Sequence, residues 1–248
     1  MKFLKLICGF VVLISAHALN AEWDPQYLPL EKAKTLKVLE RPELIQLENQ
    51  VLGSIKNTWS SQEKTKLLLE LIVLTRPQVC VEVGAFNGST TLPILAGLQY
   101  LKSGTAYIID AWSNAEAIKG LPANDSNTIW WARVDMGTVK NQFVQLLNRW
   151  SLNSYCHILE MSSEAAASQV PPIDFLHLDG NFSEMGALRD SELYLPKVVR
   201  GGYILVSNAL VTVAGKPTKM KALWPLFEQC DIICEIEQSN ALLFKKKI

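Results

Sequence analysis

The sequence has few cysteines, few charged residues and no excess of charge of either sign. Its 248 residues include five Cys, 24 Lys and Arg and 24 Asp and Glu, and charged residues make up 19% of the chain. Five cysteines are too few to build a disulfide-stabilised scaffold. The lack of a basic excess argues against nucleic acid as the main ligand. The hydrophobic fraction of 49% is enough for a folded core and excludes disorder as the main state.

The first residues have the pattern of an export signal. Lys2 and Lys5 precede an apolar run at residues 6–16, and Ala16-His17-Ala18 forms a small-x-small site. This pattern predicts a signal peptide over residues 1–18 and an exported protein, periplasmic or secreted. The run is about half of the roughly 20 residues that a membrane-spanning helix needs. A short uncleaved anchor is the alternative, and no stable membrane span is expected after cleavage.

Residues 19–77 are predicted to form a helical N-terminal extension. One helical segment begins at Arg41-Pro42-Glu43. A second follows a capping box from Ser60 to Glu63 and ends at Arg76-Pro77, because the residue before a proline is disfavoured in a helix.

From residue 78 to the end, short apolar runs alternate with segments of helical periodicity. The predicted strands are residues 79–83, 106–110, 155–159, 173–178 and 202–206, with a closing pair at 232–236 and 241–244. The predicted helices between them are residues 90–101, 139–150, 162–169 and 184–195. This alternation predicts an α/β domain: a Rossmann-like, doubly wound, mostly parallel seven-stranded sheet with helices on both faces and a closing antiparallel strand.

A glycine-containing loop follows the first predicted strand. Gly84 and Gly88 permit a tight turn and close approach of a ligand. Ser89 and Thr90 come next, at the start of a helix, where free N–H groups favour an anion. The spacing matches neither a dinucleotide fingerprint nor a phosphate-binding loop, and a plain strand-to-helix turn is the alternative.

Two acidic residues flank this loop in the predicted sheet. Asp110 ends the second strand, 22 residues after Gly88, where α/β folds bind ribose hydroxyls. Glu82 lies at the mouth of the first strand, where a buried carboxylate requires a partner. A bound ammonium group would suit it, and a salt bridge to Arg or Lys is the alternative.

Taken together, these motifs resemble those of class I methyltransferases. The loop Glu82-x-Gly84-x-x-x-Gly88-Ser89-Thr90, followed by Asp110, resembles their S-adenosylmethionine (SAM) loop. Residues 173–181, with 193–197 and 201–204, are similar to the branch that includes small-molecule O-methyltransferase-like and sugar-tailoring enzymes. The resemblance covers residues 79–244. It implies a SAM-dependent enzyme that methylates a small-molecule or sugar hydroxyl; the alternative is a non-catalytic protein binding SAM or a nucleoside.

The resemblance also implies roles for individual residues. Those on the methionine side of the cofactor are Glu82, facing its amino group, Gly84, and, facing its carboxylate, Gly88, Ser89 and Thr90. Asp110 would hold the ribose hydroxyls, and Phe86 and Trp112 would be apolar neighbours. Ser162 or Ser163 would meet the adenine, with helix capping as the alternative.

The catalytic part of the pattern departs from the metal-dependent members of that branch. In those members, an Asp ends the fourth strand and an Asp-Asp or Asp-Asn pair ends the fifth, and these oxygens hold a divalent cation. This sequence keeps Asp179 but has Phe182 for the expected His and Ser207 for the expected carboxylate. Asp179 with Asn208 would be a poor magnesium site, so the sequence predicts no essential metal, and that pair is a weak alternative.

Asp179 and His177 remain as candidate catalytic residues. Asp179 could act alone as a base or orienting acceptor and is also assigned to the cofactor-binding set. His177 shares a strand face with it and is a candidate base, although a hydrogen-bonded core histidine is the alternative. Trp130 and Trp131 are candidates for lining an apolar acceptor pocket, with core packing as the alternative. The expected partner is a small-molecule substrate.

Overall fold

The computed structural model describes residues 42–55, 59–213, 216–217, 219–236 and 239–248. The predicted signal peptide and the first part of the extension lie outside these residues. Among the described helices, none is both long and apolar enough to cross a membrane.

The described part of the N-terminal extension consists of two helices, α1 (Pro42–Ser54) and α2 (Gln62–Thr75). Ser61 caps α2 by accepting the backbone N–H of Lys64 at 3.1 Å. The predicted cap at Ser60 is therefore wrong by one residue, since Ser60 Oγ instead lies 3.0 Å from Thr65 Oγ1. As predicted, α2 ends before Arg76-Pro77, with Arg76 in the left-handed conformation.

The rest of the chain forms the predicted α/β domain around a seven-stranded sheet. Its strands are β1 (Val79–Val83), β2 (Thr105–Ile109), β3 (Cys156–Leu159), β4 (Ile173–Leu178), β5 (Val198–Val206), β8 (Cys230–Ile236) and β9 (Ala241–Lys246), and β6 (Thr212–Val213) with β7 (Lys216–Pro217) forms a separate small ribbon. The order is β3-β2-β1-β4-β5-β9-β8. Strands β1 to β5 are parallel, and β9 pairs antiparallel with both β5 and β8. The predicted mostly parallel sheet with a closing antiparallel strand is confirmed.

Helices cover both faces of this sheet. They are α3 (Thr91–Leu101), α4 (Asn114–Ile118), α5 (Ser126–Trp131), α6 (Met136–Trp150), α7 (Ser163–Ala166), α8 (Glu184–Tyr194) and α9 (Met220–Gln229). One hydrophobic cluster includes Ile72 of α2 and Phe143 of α6, and a second includes Tyr194 of α8. Helix α2 packs closely on α3, because a Cβ at Gly97 would lie 2.7 Å from Ile72 Cγ2.

The topology places a crevice at the carboxyl ends of β1 and β4. These two strands are neighbours, and the chain order runs outward from them in both directions. Such a switch point is where open α/β sheets bind ligands. The loop ends are held together there, since Gly84 N–H donates to the Ile109 carbonyl and Asp179 N–H donates to the Val83 carbonyl, both at 2.9 Å.

Candidate functional site

A cavity of about 810 Å³ opens at this end of the sheet, within the usual size range of small-molecule sites. Eleven of the residues predicted from the sequence line it: Gly84, Phe86, Ser89, Thr90, Asp110, Trp130, Trp131, Ser162, Ser163, Asp179 and Asn208. Glu82, Gly88, Trp112 and His177 are not among its lining residues. The structure therefore brings most of the predicted site together and places four of its members behind the cavity wall.

The glycines of the loop allow close packing of the chain on its neighbours. Gly84 has φ +87°, and a Cβ there would lie 2.2 Å from the carbonyl oxygen of Asp179. Gly88 has φ +88°, and its Cβ would lie 2.9 Å from side-chain atoms of Leu146 and Phe143. Gly84 thus holds the β1 loop directly against the end of β4.

Asp110 organises the glycine loop from the end of β2. Its Oδ2 accepts the backbone N–H groups of Ala85 at 3.0 Å and Phe86 at 2.8 Å. Its Oδ1 accepts the N–H of Trp112 at 2.7 Å. Burial raises the pKa of Asp110 above its ordinary value, although these hydrogen bonds favour the ionised form. The carboxylate predicted to hold ribose hydroxyls lines the cavity and also fixes the loop.

Glu82 supports the same loop from inside the core. Its carboxylate is fully buried and accepts the hydroxyl of Thr90 at 2.5 Å and the hydroxyl of Thr91. The Nδ1 atom of His177 lies 2.9 Å from Glu82 Oε1. The structure thus gives Glu82 a histidine partner instead of the Arg or Lys of the salt-bridge alternative, and no direct contact with the cavity.

His177 lies in a buried hydrogen-bonded chain. Its ring is fully buried, and Nε2 lies 2.8 Å from Ser207 Oγ while Nδ1 faces Glu82. A base must reach the proton that it removes, and His177 has no exposed surface from which to do so. The geometry favours the alternative of a hydrogen-bonded core histidine.

Two buried lysines surround the end of β4, and sequence reasoning missed both. Lys64 and Lys219 are each only 2% exposed. Lys64 Nζ lies 3.8 Å from Asp179 Oδ2 and donates to Ser207 Oγ at 3.1 Å. Lys219 Nζ donates to the Ser207 carbonyl at 3.0 Å. Asn208 Nδ2 donates to Asp179 Oδ1 at 3.1 Å, so both carboxylate oxygens of Asp179 have partners.

Asp179 and Asp190 line the same cavity and have opposite pKa shifts. Burial alone would raise the pKa of Asp179, but its electrostatic interactions with Lys64, His177 and Lys219 lower it below its ordinary value. Burial raises the pKa of Asp190 to about 6, although the hydrogen bond that Ser163 Oγ donates at 2.5 Å acts to lower it. Of these two aspartates, Asp179 is therefore the one whose ionised form the site favours.

The donor set around Asp179 does not fit a divalent cation. Mg²⁺ and Ca²⁺ are held by several oxygen ligands that include carboxylates, whereas here one carboxylate faces an amide N–H and a lysine ammonium. Within the described ranges, no group of three or more His, Cys, Asp or Glu side chains is placed to hold a metal ion.

Ser162 and Ser163 have structural partners and also line the cavity. Ser162 Oγ accepts the Ala165 N–H at 3.3 Å and caps α7. Ser163 Oγ donates to Asp190, and its carbonyl accepts the Tyr194 hydroxyl at 2.6 Å. The capping alternative holds for Ser162, and both side chains remain in position to meet a ligand.

Five aromatic side chains form one wall of the cavity, here called the aromatic cluster: Trp59, Phe86, Trp130, Trp131 and Phe182. Trp59 stacks on Phe86 with ring centroids 4.7 Å apart and planes 12° apart. Trp131 lies 5.9 Å from Phe182. Trp59 and Trp130 are 48% and 45% exposed, so part of each ring is accessible to a ligand in the cavity.

Trp112 differs from these side chains because it belongs to the core. It is buried, lies 5.2 Å from the Phe143 ring, and donates its Nε1–H to the Phe86 carbonyl at 2.8 Å. It therefore stabilises the loop that carries Phe86, which itself lines the cavity.

Several solved structures share the fold of this chain. A methyltransferase from Geobacter sulfurreducens is 15% identical, with a TM-score of 0.51 over 86% of this chain and 92% of that chain. The O-methyltransferase TomG from Streptomyces achromogenes, in complex with SAM, is 14% identical, with a TM-score of 0.57 over 86% and 93%. An O-methyltransferase from Bacillus cereus, in complex with SAH, is 13% identical, with a TM-score of 0.52 over 98% and 100%.

Sequence comparison identifies the family. No curated protein matches the chain significantly. The family model described as "Methyltransferase domain" (Methyltransf_24) matches residues 81–209, just over half of the chain, from β1 to the residues that follow β5. This range contains the glycine loop, Asp110 and Asp179, on which the predicted resemblance depends. The prediction is confirmed, and the chain belongs to this family of methyltransferase domains.

Proposed function

We propose that this protein is a SAM-dependent O-methyltransferase whose acceptor is the hydroxyl group of a small molecule with a planar, apolar part. One observation carries the proposal: the glycine loop, Asp110 and the ionised Asp179 line a single cavity at the switch point of the sheet. Membership of the methyltransferase family and the SAM- and SAH-bound O-methyltransferases of the same fold support it.

The residues lining the loop side of the cavity suit such a cofactor. Asp110 offers carboxylate oxygens for ribose hydroxyls, and Ser89 and Thr90 lie at the start of α3, where a carboxylate is favoured. Ser162 and Ser163 offer polar groups beyond the end of β3. When bound, SAM supplies an activated methyl group. The chain's part is to position the acceptor oxygen in line with it, which accounts for much of the rate of such transfers.

The opposite side of the cavity suits the acceptor. Asp179 is 20% exposed and ionised, so it can accept a hydrogen bond from a hydroxyl group and orient the acceptor oxygen toward the methyl group. The aromatic cluster offers stacking surface for a planar ring. These features favour an aromatic hydroxyl over a sugar hydroxyl.

The test is calorimetric titration of the full chain with SAM, followed by turnover with a panel of aromatic and sugar hydroxyl compounds. We expect micromolar binding that Asp110→Asn weakens strongly and that Asp135→Asn leaves unchanged, because Asp135 is exposed and caps α6. Methylated product is expected from aromatic members of the panel. A folded chain without affinity for SAM would contradict the proposal, and binding without turnover would favour the non-catalytic alternative.

We also propose that the protein is exported through a signal peptide in residues 1–18. The basic start, the apolar run and the small-x-small site support this. Cell fractionation followed by N-terminal sequencing tests it: a mature chain that begins at Leu19 is expected in the exported fraction. An intact N-terminus on a membrane-bound chain would favour the anchor.

A further inference from the structure

We propose that the ammonium groups of Lys64 and Lys219 take the place of the divalent cation that metal-dependent members of this branch hold at the ends of the fourth and fifth strands. This inference rests on the proposed function, because it assumes that Asp179 contacts the acceptor in a methyl transfer. The exclusion of metal by the lysines follows from the geometry of the described residues and has its own test.

The position of the lysines carries the first step. Ser207 stands at the end of β5, where a metal ligand would be expected. Its hydroxyl accepts a hydrogen bond from Lys64 at 3.1 Å, and its carbonyl accepts one from Lys219 at 3.0 Å. The hydroxyl and the carbonyl of Ser207 are therefore each hydrogen-bonded to a lysine, and the hydroxyl also lies 2.8 Å from His177 Nε2. A carboxylate that could hold a cation is absent at this position, and positive charge is already present beside it.

The charge balance carries the second step. Each lysine side chain is only 2% exposed. A buried charge needs a paired charge or strong hydrogen bonds. Asp179 is the carboxylate within ion-pair distance of Lys64 among the described residues, at 3.8 Å. A divalent cation bound to Asp179 would be repelled chiefly by the Lys64 ammonium group that already faces it in a poorly solvated site, and less by Lys219, since burial lowers the pKa of Lys219.

The third step concerns the position of Lys64 in the chain. It lies on α2, in the N-terminal extension and outside the region matched by the family model. The same extension supplies Trp59, which stacks on Phe86, and Ser61, whose Oγ lies 2.7 Å from Ser239 Oγ. The extension is thus attached to the site at three points. A cation from a segment outside the family domain therefore occupies a position where this chain lacks the expected metal ligand.

Neither lysine lines the cavity, so both are positioning residues that act through Asp179 and Ser207. They keep the carboxylate ionised and oriented toward the cavity. In a metal-dependent site, the bound cation would hold the carboxylate in this state. Here the lysines hold it, and a chelator cannot remove them.

The experiment is a titration of the full chain with Mn²⁺, followed by electron paramagnetic resonance. Three chains are compared: the wild type, Ser207→Asp, which restores the expected carboxylate, and Ser207→Asp combined with Lys64→Met. We expect the first two to bind no Mn²⁺ up to about 1 mM, the weak end of the range for divalent sites in proteins, and the third to bind at least about tenfold more tightly. Ser207→Asp with Lys66→Met is the matched control, since Lys66 is exposed on the same helix.

Two results would overturn the inference. One is Mn²⁺ binding by the wild type that Asp179→Asn abolishes. The other is equal Mn²⁺ affinity of the three Ser207→Asp chains, which would mean that Lys64 does not exclude the cation. Lys219→Met in the same background serves as a second variant if the Lys64→Met chain does not fold. Titration of each chain with SAM separates this inference from the proposed function, because failure to bind SAM contradicts only the latter.

Discussion

The two sides of the cavity differ in how they hold their aspartates. On the loop side, Asp110 is surrounded by backbone N–H groups, and burial raises its pKa. On the β5 side, Asp179 faces Lys64 and has Lys219 nearby, and its pKa is lowered despite burial. The same side-chain type is thus used in one place to fix the backbone and in the other to present a charge. The loop side has the residues that the resemblance predicts, whereas the β5 side departs from that prediction at Phe182 and Ser207.

The comparison indicates that the two sides are under different structural constraints. The loop side is built on the stretch from Glu82 to Thr91 and on Asp110, which binds that stretch from the end of the next strand. The β5 side depends on contacts between α2, the end of β4 and the segment around residue 219. Substitutions that affect one side only, or the contact between the sides, therefore test whether the stability and ligand affinity of each side depend on the other.

The largest effect is expected for Gly84→Ala, which breaks the contact between the two sides. The new Cβ would lie 2.2 Å from the Asp179 carbonyl oxygen, and the residue has φ +87°. Backbone strain and steric overlap should together lower the free energy of unfolding by about 4 kcal/mol. Urea unfolding measures this. Gly53→Ala in α1 is the matched control, because no atom lies within 4 Å of its Cβ position and alanine favours a helix. Equal stability of the two variants would show that the loop is not held against β4.

The next effect is expected for Glu82→Gln, which tests how the loop side is supported. Glu82 is fully buried and paired with Thr90, Thr91 and His177. Removing its charge should lower the free energy of unfolding by about 3 kcal/mol, since a buried network then loses a partner. Glu63→Gln, on partly exposed α2 surface, should change it by less than about 0.5 kcal/mol. A stable Glu82→Gln chain that no longer binds SAM would instead support the predicted contact with the cofactor's amino group.

A smaller effect is expected for Asp190→Asn, which tests the pKa difference within the cavity. Burial raises the pKa of Asp190 to about 6, above its value in the unfolded chain. The protonated form therefore stabilises the native state at low pH, and this stability is lost as pH rises from about 4 to about 6. The variant should gain about 2 to 3 kcal/mol relative to wild type across this window, at about 1.36 kcal/mol for each unit of the pKa shift, and stay constant above it.

Urea unfolding at several pH values measures that difference. Asp135→Asn provides a control of opposite sign, because a backbone hydrogen bond from Thr138 lowers the pKa of Asp135. Its stabilising effect is present above the unfolded pKa and is lost as pH falls, so this variant should lose stability relative to wild type as pH rises. A pH-independent difference between Asp190→Asn and wild type would contradict the raised pKa.

The fold and the loop side could be predicted because their signals are local. Alternation of strand and helix patterns gave the sheet, although β5 begins at Val198, earlier than the predicted residue 202. Gly84 and Asp110 are recognisable because a turn and a strand end determine where they lie. Even there, one partner of Glu82 could not be predicted from spacing, because His177 lies 95 positions away in the sequence.

The β5 side could not be predicted because its partners are distant in sequence. Lys64 and Ser207 are 143 positions apart, and no spacing rule connects them. One signal was present: Lys64 lies four residues before Leu68, so both occupy one face of α2, and that face is buried. A lysine on the apolar face of a helix indicates a buried charge that needs a partner, and Asp179 is that partner.

The smallest effect is expected for Trp59→Ala, which sharpens the comparison at the acceptor. Trp59 stacks on Phe86, lines the cavity and is 48% exposed. Losing one stacking partner, worth about 1 kcal/mol, should raise KM for an aromatic acceptor by about fivefold to tenfold. Trp59→Phe should restore most of the affinity, and KM for SAM should stay unchanged in both variants. Steady-state kinetics with the best aromatic acceptor of the panel measure this. An equal rise in KM for SAM would mean that Trp59 supports the loop side instead, because Phe86 belongs to the same loop as Gly84 and would then move with it.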